Sequence, residues 1–205
     1  MTMAGGKKPG QVRIGVTGHR VLAEVAKLRE SIERALHLIE QRYPGCRLAA
    51  VSPLAEGADR LVAHAVLERG GSLIVPLPLP AEDYLTDFTA KASQAEFRAL
   101  LALAAEVIEL PATPTRNEAY EQVGLWVLDH SDALIAVYDG KPAQGRGGTA
   151  EIAALAIERG LPVLHIKAGN RKPGTSEPTS LGPEQGELVV HNLQPASGSG
   201  NSTPK

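Results

Sequence analysis

The sequence DALIAVYDGKPAQGRGGTAEIAALAIERGLPVLHI, residues 132–166, reads as a strand, a glycine-rich loop, a helix and a second strand. Residues 133–138 form a short, nearly continuous apolar run, which is typical of a strand buried on both faces of a parallel sheet. A helix follows from Thr149, because its apolar residues recur at helical spacing, and Gly160 with Pro162 ends it. This order of elements predicts an α/β fold.

The glycine-rich loop before this helix predicts an anion-binding site. The first backbone N–H groups of a helix lack partners, and the helix dipole places positive potential there. Glycines let a ligand approach the backbone closely. We therefore expect phosphate or carboxylate at Gly145, Gly147, Gly148 and Thr149. An ordinary loop with Thr149 as the helix N-cap explains the same residues equally well.

The rest of the chain repeats the alternation of strands and helices. Further strands are predicted at residues 11–17, 47–51, 73–77, 107–110 and 162–166, with helices between them. Such alternation predicts a doubly wound, mainly parallel sheet of six to seven strands with helices on both faces. We expect a flexible N-terminus at 1–10, one domain at 11–168, and a mostly disordered tail at 169–205 with an edge strand at 187–193.

The composition of the chain argues against several classes of function. The chain has 205 residues, 43% of them hydrophobic, with a formal net charge of -2. This near-neutral charge argues against nucleic acid binding. The single cysteine excludes an internal disulfide, and no metal or cofactor motif is present. Neither a membrane-spanning run nor a signal-peptide core occurs, so we expect a cytoplasmic protein.

Polar and glycine-rich residues follow several of the predicted strands. In doubly wound sheets, ligands bind outside the carboxyl ends of the strands. The residues at those ends are Gly18, His19 and Arg20 after the first strand, Ser52, Glu56 and Gly57 after the second, Arg116 after the fourth, and Asp139 after the fifth. This concentration predicts a binding cleft.

Each candidate has a functional and an ordinary interpretation. Arg20 and Arg116 suit phosphate, since a guanidinium bonds it bidentately, although both also suit a protein surface. His19 is either a ligand contact or a local cap, and Asp139 either binds ribose hydroxyls or ends a strand. Tyr84 either stacks on a base or packs in the core.

Acidic residues near helix starts are equally ambiguous. Glu56 and Asp59 lie in the first turn of a helix, where acids are favoured without any ligand. Glu151 either stabilises a ribosyl centre or complements the dipole of its own helix.

Four motifs occur at the ends of predicted strands or close to them: GVTGHR at residues 15–20, SPLAEGADR at 52–60, PLPLPAEDYLTDF at 76–88 and YDGKPAQGRGGTAE at 138–151. Together they resemble the SLOG superfamily, which groups the DNA-uptake protein DprA with the LOG phosphoribohydrolases. The resemblance covers roughly residues 12–167. It implies a Rossmann-like fold that binds a nucleotide or a nucleotide-derived signal, such as a nucleoside monophosphate, ADP-ribose or an NAD-derived compound, and it implies a homodimer.

The LOG enzymes also suggest a second hypothesis, cleavage of the N-glycosidic bond of a nucleoside monophosphate with Glu151 as the catalytic carboxylate. Their motif is PGGxGTxxE, whereas this chain has GTxE. One residue fewer rotates the carboxylate by about 100° on an ideal helix. Binding is therefore the preferred hypothesis, hydrolysis is the alternative, and a DNA-associated role in the manner of DprA is the third.

Overall fold

One seven-stranded sheet forms the centre of the molecule in a computed structural model, which describes residues 10–142 and 148–194. Its strands are β1 (Gln11–Gly18), β2 (Arg47–Val51), β3 (Ser72–Leu77), β4 (Glu106–Glu109), β5 (Ala133–Tyr138), β6 (Val163–Lys167) and β7 (Leu188–His191). Their spatial order is β4-β3-β2-β1-β5-β6-β7. Every pairing is parallel except that of β6 with β7. The predicted α/β class and mainly parallel sheet are confirmed.

Helices connect the parallel strands. They are α1 (Val25–Arg42), α2 (Ala58–Glu68), α3 (Ala81–Tyr84), α4 (Lys91–Ala102), α5 (Arg116–Asp129) and α6 (Thr149–Glu158). Short 3₁₀ turns lie at Leu85–Asp87 and Gly182–Glu184. No helix among the described residues has the length and apolar character that crossing a membrane requires.

Strand side chains alternate between separate apolar clusters. Ile135 and Val137 of β5 pack in the largest cluster, together with Leu28 of α1. Their neighbours Leu134 and Ala136 pack in a second cluster with residues of α5 and α6. The period of two along a strand therefore explains why the whole apolar run of β5 is buried.

The described part of the tail, residues 169–194, differs from the predicted disorder. The side chain of Gln185 is fully buried, accepts a hydrogen bond from the Gly169 amide and donates one to the Ala23 carbonyl. β7 adds to the sheet beside β6, within the predicted edge strand. Specific polar contacts thus order a segment whose composition is poor in apolar residues.

Candidate functional site

The direction of strand order reverses at β1, which pairs with β2 on one side and with β5 on the other. The chain after β1 stays attached to β5, since the His19 amide donates to the Val137 carbonyl at 2.9 Å. Ligands of open α/β sheets bind in the crevice at such a reversal. Two of the cavities in this region are each lined by residues near the end of β1 and by residues of α6.

The first, which we call the switch-point cavity, has a volume of about 350 Å³. His19, Asp139 and Lys141 line it from the ends of β1 and β5, and Gly148 and Thr149 line it from the start of α6. These side chains come from the predicted residue set, apart from Lys141, which follows the predicted Asp139 by two positions. Gly145 and Gly147, also predicted, lie outside the described residues.

The start of α6 presents backbone amides to the switch-point cavity. Gly148 is the N-cap and has no side chain with which to cap the helix, and Thr149 is the first helical residue instead of the cap. The amides of Glu151 and Ile152 donate to the Gly148 carbonyl. The amides of Thr149 and Ala150, in contrast, donate to no acceptor among the described residues. This geometry matches the anion-binding interpretation of the sequence.

Charges of both signs lie in this cavity. Nζ of Lys141 is 3.0 Å from Oδ2 of Asp139, and Nε2 of His19 is 4.0 Å from Oδ1 of the same carboxylate. Burial opposes ionisation of Asp139, but its bonds to Lys141 prevail and lower its pKa. Burial also lowers the pKa of His19, more than the nearby Asp139 raises it. His19 is therefore neutral near pH 7, whereas Asp139 is ionised.

The second, which we call the Asp59 cavity, has a volume of about 210 Å³. Tyr84, Tyr120, Val123 and Ile152 are among its walls, and Asp59 supplies a carboxyl group. Burial raises the pKa of Asp59 to about 7, against the hydrogen bonds from Ser52 and Ala55 and the charges of Arg20 and Arg60. The sequence shows Asp59 only as an acid in the first turn of α2; its burial depends on contacts of this turn with Ser52 and Ala55 in the loop after β2.

Ser52 and Gly57 shape the loop after β2. The hydroxyl of Ser52 donates to Oδ2 of Asp59 at 2.9 Å, and Ser52 is only 1% exposed. Gly57 has φ +77, and a Cβ there would lie 2.4 Å from the His19 carbonyl oxygen and 2.5 Å from that of Arg20. Ser52 therefore joins the end of β2 to the first turn of α2, and Gly57 lets the loops after β1 and β2 approach each other closely.

Arg20 and Glu56 lie beside the Asp59 cavity as a pair. Nη2 of Arg20 is 3.3 Å from Oε2 of Glu56, and Ser93 donates to the other oxygen of that carboxylate. The guanidinium also lies over the ring of Phe88, 5.6 Å from its centre. Arg20 lines the Asp59 cavity, and 44% of its side chain is exposed, so it remains accessible to a ligand.

Arg116 lies at the start of α5 and binds the segment after β3. It donates to the carboxylates of Asp83 and Asp87, at 2.9 and 3.1 Å, and to the hydroxyl of Tyr120. The Tyr120 hydroxyl in turn donates to Asp87. Arg116 does not line either of the two cavities. Its predicted phosphate contact would require these bonds to be exchanged.

Gly18 and Glu151 were also predicted site residues. A Cβ on Gly18 would lie 2.4 Å from Cβ of Ala58 and 2.6 Å from the Val137 carbonyl oxygen, so its position requires glycine for close packing. Glu151 is half-buried in the first turn of α6. It does not line either cavity, although Thr149 and Ala150 before it line the switch-point cavity. Among the described residues, no cluster of acidic, histidine or cysteine side chains suits a metal ion.

The sheet order and the crevice at its reversal define a Rossmann-like α/β fold. A solved structure with this fold is DNA processing protein A (DprA) from Streptococcus pneumoniae, at 19% identity and a TM-score of 0.53. The match covers 80% of this chain, which spans about half, 51%, of that chain.

A second solved structure, TM1055, matches at 15% identity and a TM-score of 0.44, over 75% of this chain and 72% of that one. No protein-family model matches the chain. No curated protein matches it either. The likeness to DprA therefore supports the fold and nothing beyond it.

Proposed function

We propose that the protein binds a nucleotide or a nucleotide-derived ligand in the crevice between β1 and β5. The ligand is a nucleoside monophosphate, ADP-ribose or an NAD-derived compound, and its phosphate binds at the first turn of α6. The observation that carries the proposal is the meeting of uncapped α6 amides with His19 and Lys141 in one cavity at the reversal of strand order. The proposal includes a doubly wound arrangement of the helices and a homodimer in the cytoplasm.

The polar groups of the switch-point cavity suit two different parts of such a ligand, its phosphate and its ribose. Backbone amides and the Lys141 ammonium favour phosphate, because both donate hydrogen bonds to an anion. The ionised carboxylate of Asp139 accepts hydrogen bonds and would repel phosphate, so it suits the hydroxyl groups of ribose. A sugar phosphate therefore matches the cavity better than an inorganic anion.

Two variants at one position test the role of the α6 amides. Thr149→Pro removes the amide N–H, and proline is tolerated as the first helical residue, after an extended Gly148. Thr149→Ala removes only the hydroxyl and is the matched control. We expect calorimetry to show that the wild type binds AMP. Thr149→Pro should bind AMP about tenfold more weakly than Thr149→Ala, which corresponds to the loss of one charge-assisted hydrogen bond.

A panel of AMP, ADP-ribose and NAD that produces no heat and no thermal stabilisation would contradict the proposal. So would equal affinities of the two Thr149 variants for AMP. Chromatography of the same AMP mixtures tests the hydrolase alternative, since that activity releases free adenine and should be abolished in Glu151→Gln. A salt-dependent gel shift tests association with DNA, which the formal net charge of -2 disfavours.

A further inference from the structure

The Asp59 cavity is too small for a whole nucleotide. Its volume of about 210 Å³ lies below the roughly 300–1,000 Å³ of pockets that enclose drug-sized ligands. Its walls are mainly apolar and aromatic, with Val16, Tyr84, Tyr120 and Ile152 among them. A flat ring is the kind of group that such walls accommodate.

Asp59 gives this apolar cavity a specific polar group. The residue is 5% exposed, and both of its hydrogen bonds, from the Ser52 hydroxyl and the Ala55 amide, reach Oδ2. No hydrogen bond joins Oδ1 to another described residue, although Asp59 lines the cavity. Oδ1 is therefore the oxygen of this carboxyl group that a ligand in the cavity can reach.

Protonation determines what Oδ1 can do. Burial raises the pKa of Asp59 to about 7 even though Arg20 after β1 and Arg60 in α2 act to lower it. The other ionisable groups facing it are the hydroxyl of Tyr84 from α3 and, behind that, Asp87 with Tyr120 from α5. Since Oδ2 already accepts two hydrogen bonds, the proton of the neutral acid resides on Oδ1.

We infer that the Asp59 cavity receives an aromatic heterocycle and that Oδ1 of Asp59 donates a hydrogen bond to an acceptor nitrogen on the edge of that ring. The inference rests on the proposed function, whose ligand has its phosphate at the start of α6. The two cavities adjoin along the chain: Gly18 and Ile152 line the Asp59 cavity, while His19 and Ala150 line the switch-point cavity. The ring and the phosphate of one nucleotide would therefore contact the same two segments.

The test compares AMP with ribose 5-phosphate, which has the same phosphate but no ring, by calorimetry at pH 6 and pH 8.5. Titration of the phosphate and of His19 affects both ligands, so the ratio of their affinities isolates the ring. At pH 6 we expect the wild type to bind AMP at least about tenfold more tightly than ribose 5-phosphate. A tenfold ratio corresponds to about 1.4 kcal/mol, and burial of the ring together with one hydrogen bond should exceed that value. The ratio should fall at pH 8.5, where Oδ1 has lost its proton.

Three variants separate the contributions. Asp59→Asn keeps the bonds from Ser52 and Ala55 and presents a permanent N–H donor, so its ratio should stay high at both pH values. Asp59→Ala removes the hydrogen bond but not the apolar walls, so its ratio should be lower than that of the wild type at pH 6 and should not change with pH. Asp129→Asn, at an exposed carboxylate on α5 paired with Arg159, is the control and should behave as the wild type does.

Equal affinity for AMP and ribose 5-phosphate would overturn the inference and leave the phosphate site standing. A wild-type ratio that does not change with pH would overturn the hydrogen-bond donor role. If neither ligand binds, the proposed function fails, and adenosine, which has the ring without the phosphate, then tests the cavity by itself. Because Asp59→Asn is isosteric, its result decides the matter even if Asp59→Ala fails to fold.

Discussion

Substitution of Gly57 by alanine tests whether the loops after β1 and β2 are locked together at this residue. Gly57 has φ +77, and the added Cβ would lie 2.4 Å and 2.5 Å from two backbone carbonyl oxygens, those of His19 and Arg20. These oxygens cannot move aside as the end of a flexible side chain can. The His19 carbonyl also accepts a hydrogen bond from the Ala58 amide at 3.1 Å, so the change also strains that bond.

The expected loss of stability has two parts. A left-handed backbone conformation costs a non-glycine residue about 1–2 kcal/mol, and forcing an extra methyl group into a packed site costs about 1–3 kcal/mol. Gly57→Ala should therefore lower the free energy of unfolding by about 2–5 kcal/mol, a large share of the 5–15 kcal/mol typical of a domain. Gly45→Ala is the matched control, because Gly45 has φ +76 and its Cβ would meet nothing within 4 Å.

Urea titration followed by circular dichroism measures both variants. Both variants place a Cβ at a φ near +77, so the additional loss of unfolding free energy in Gly57→Ala, about 1–3 kcal/mol, is assigned to the contact. Equal destabilisation by Gly57→Ala and Gly45→Ala would refute the close approach of the two loops. We also expect Gly57→Ala to weaken AMP binding, since the displaced residues His19 and Arg20 line the two cavities.

Three further changes address the buried polar groups and the core. Burial raises the pKa of Asp59 from 3.8 to about 7, so between these values the folded chain keeps a proton that the unfolded chain releases. The free energy of unfolding should therefore fall as the pH rises from about 4 to about 7. Asp59→Asn should flatten this part of the stability–pH curve, measured by urea denaturation. Gln185→Ala should cost about 1–3 kcal/mol by leaving buried backbone groups unpaired, and it should speed limited proteolysis within residues 169–187 relative to the wild type; unchanged cleavage would contradict the anchoring of this segment. Ile14→Ala, at a fully buried position of β1, should cost about 2–5 kcal/mol in the same denaturation assay, whereas a loss under 1 kcal/mol would contradict its place in the core.

The strands of the sheet were predictable because parallel strands buried on both faces leave an uninterrupted apolar signal. β5 occupies residues 133–138, as predicted, and α6 begins at Thr149, as predicted. The start of α1 carries no such local signal. The amide of Glu24, just before this helix, donates to the Ser176 carbonyl, and the sequence does not reveal a contact between residues so far apart.

The sequence predicts cavities at the ends of the strands, but it predicts their lining only partly; whether they bind a ligand stays a prediction. The rule that ligands bind at strand ends places His19, Asp139 and Thr149 around one cavity. It cannot distinguish a side chain that faces a ligand from one that holds its neighbours. Ser52 and Arg116 are of the second kind in the structure. Asp59 is the opposite case. From the sequence it is an ordinary acid in the first turn of a helix, whereas in the structure it is buried.

The strand β4 forms one border of the sheet, and its sequence is Glu-Val-Ile-Glu. Its outer backbone groups lack a neighbouring strand among the described residues, which makes such a border a template for another chain. Four residues offer little length for that, and a second copy laid alongside would bring Glu106 and Glu109 close to like charges. The acidic ends of β4 thus disfavour the pairing of this border with a second copy of the strand.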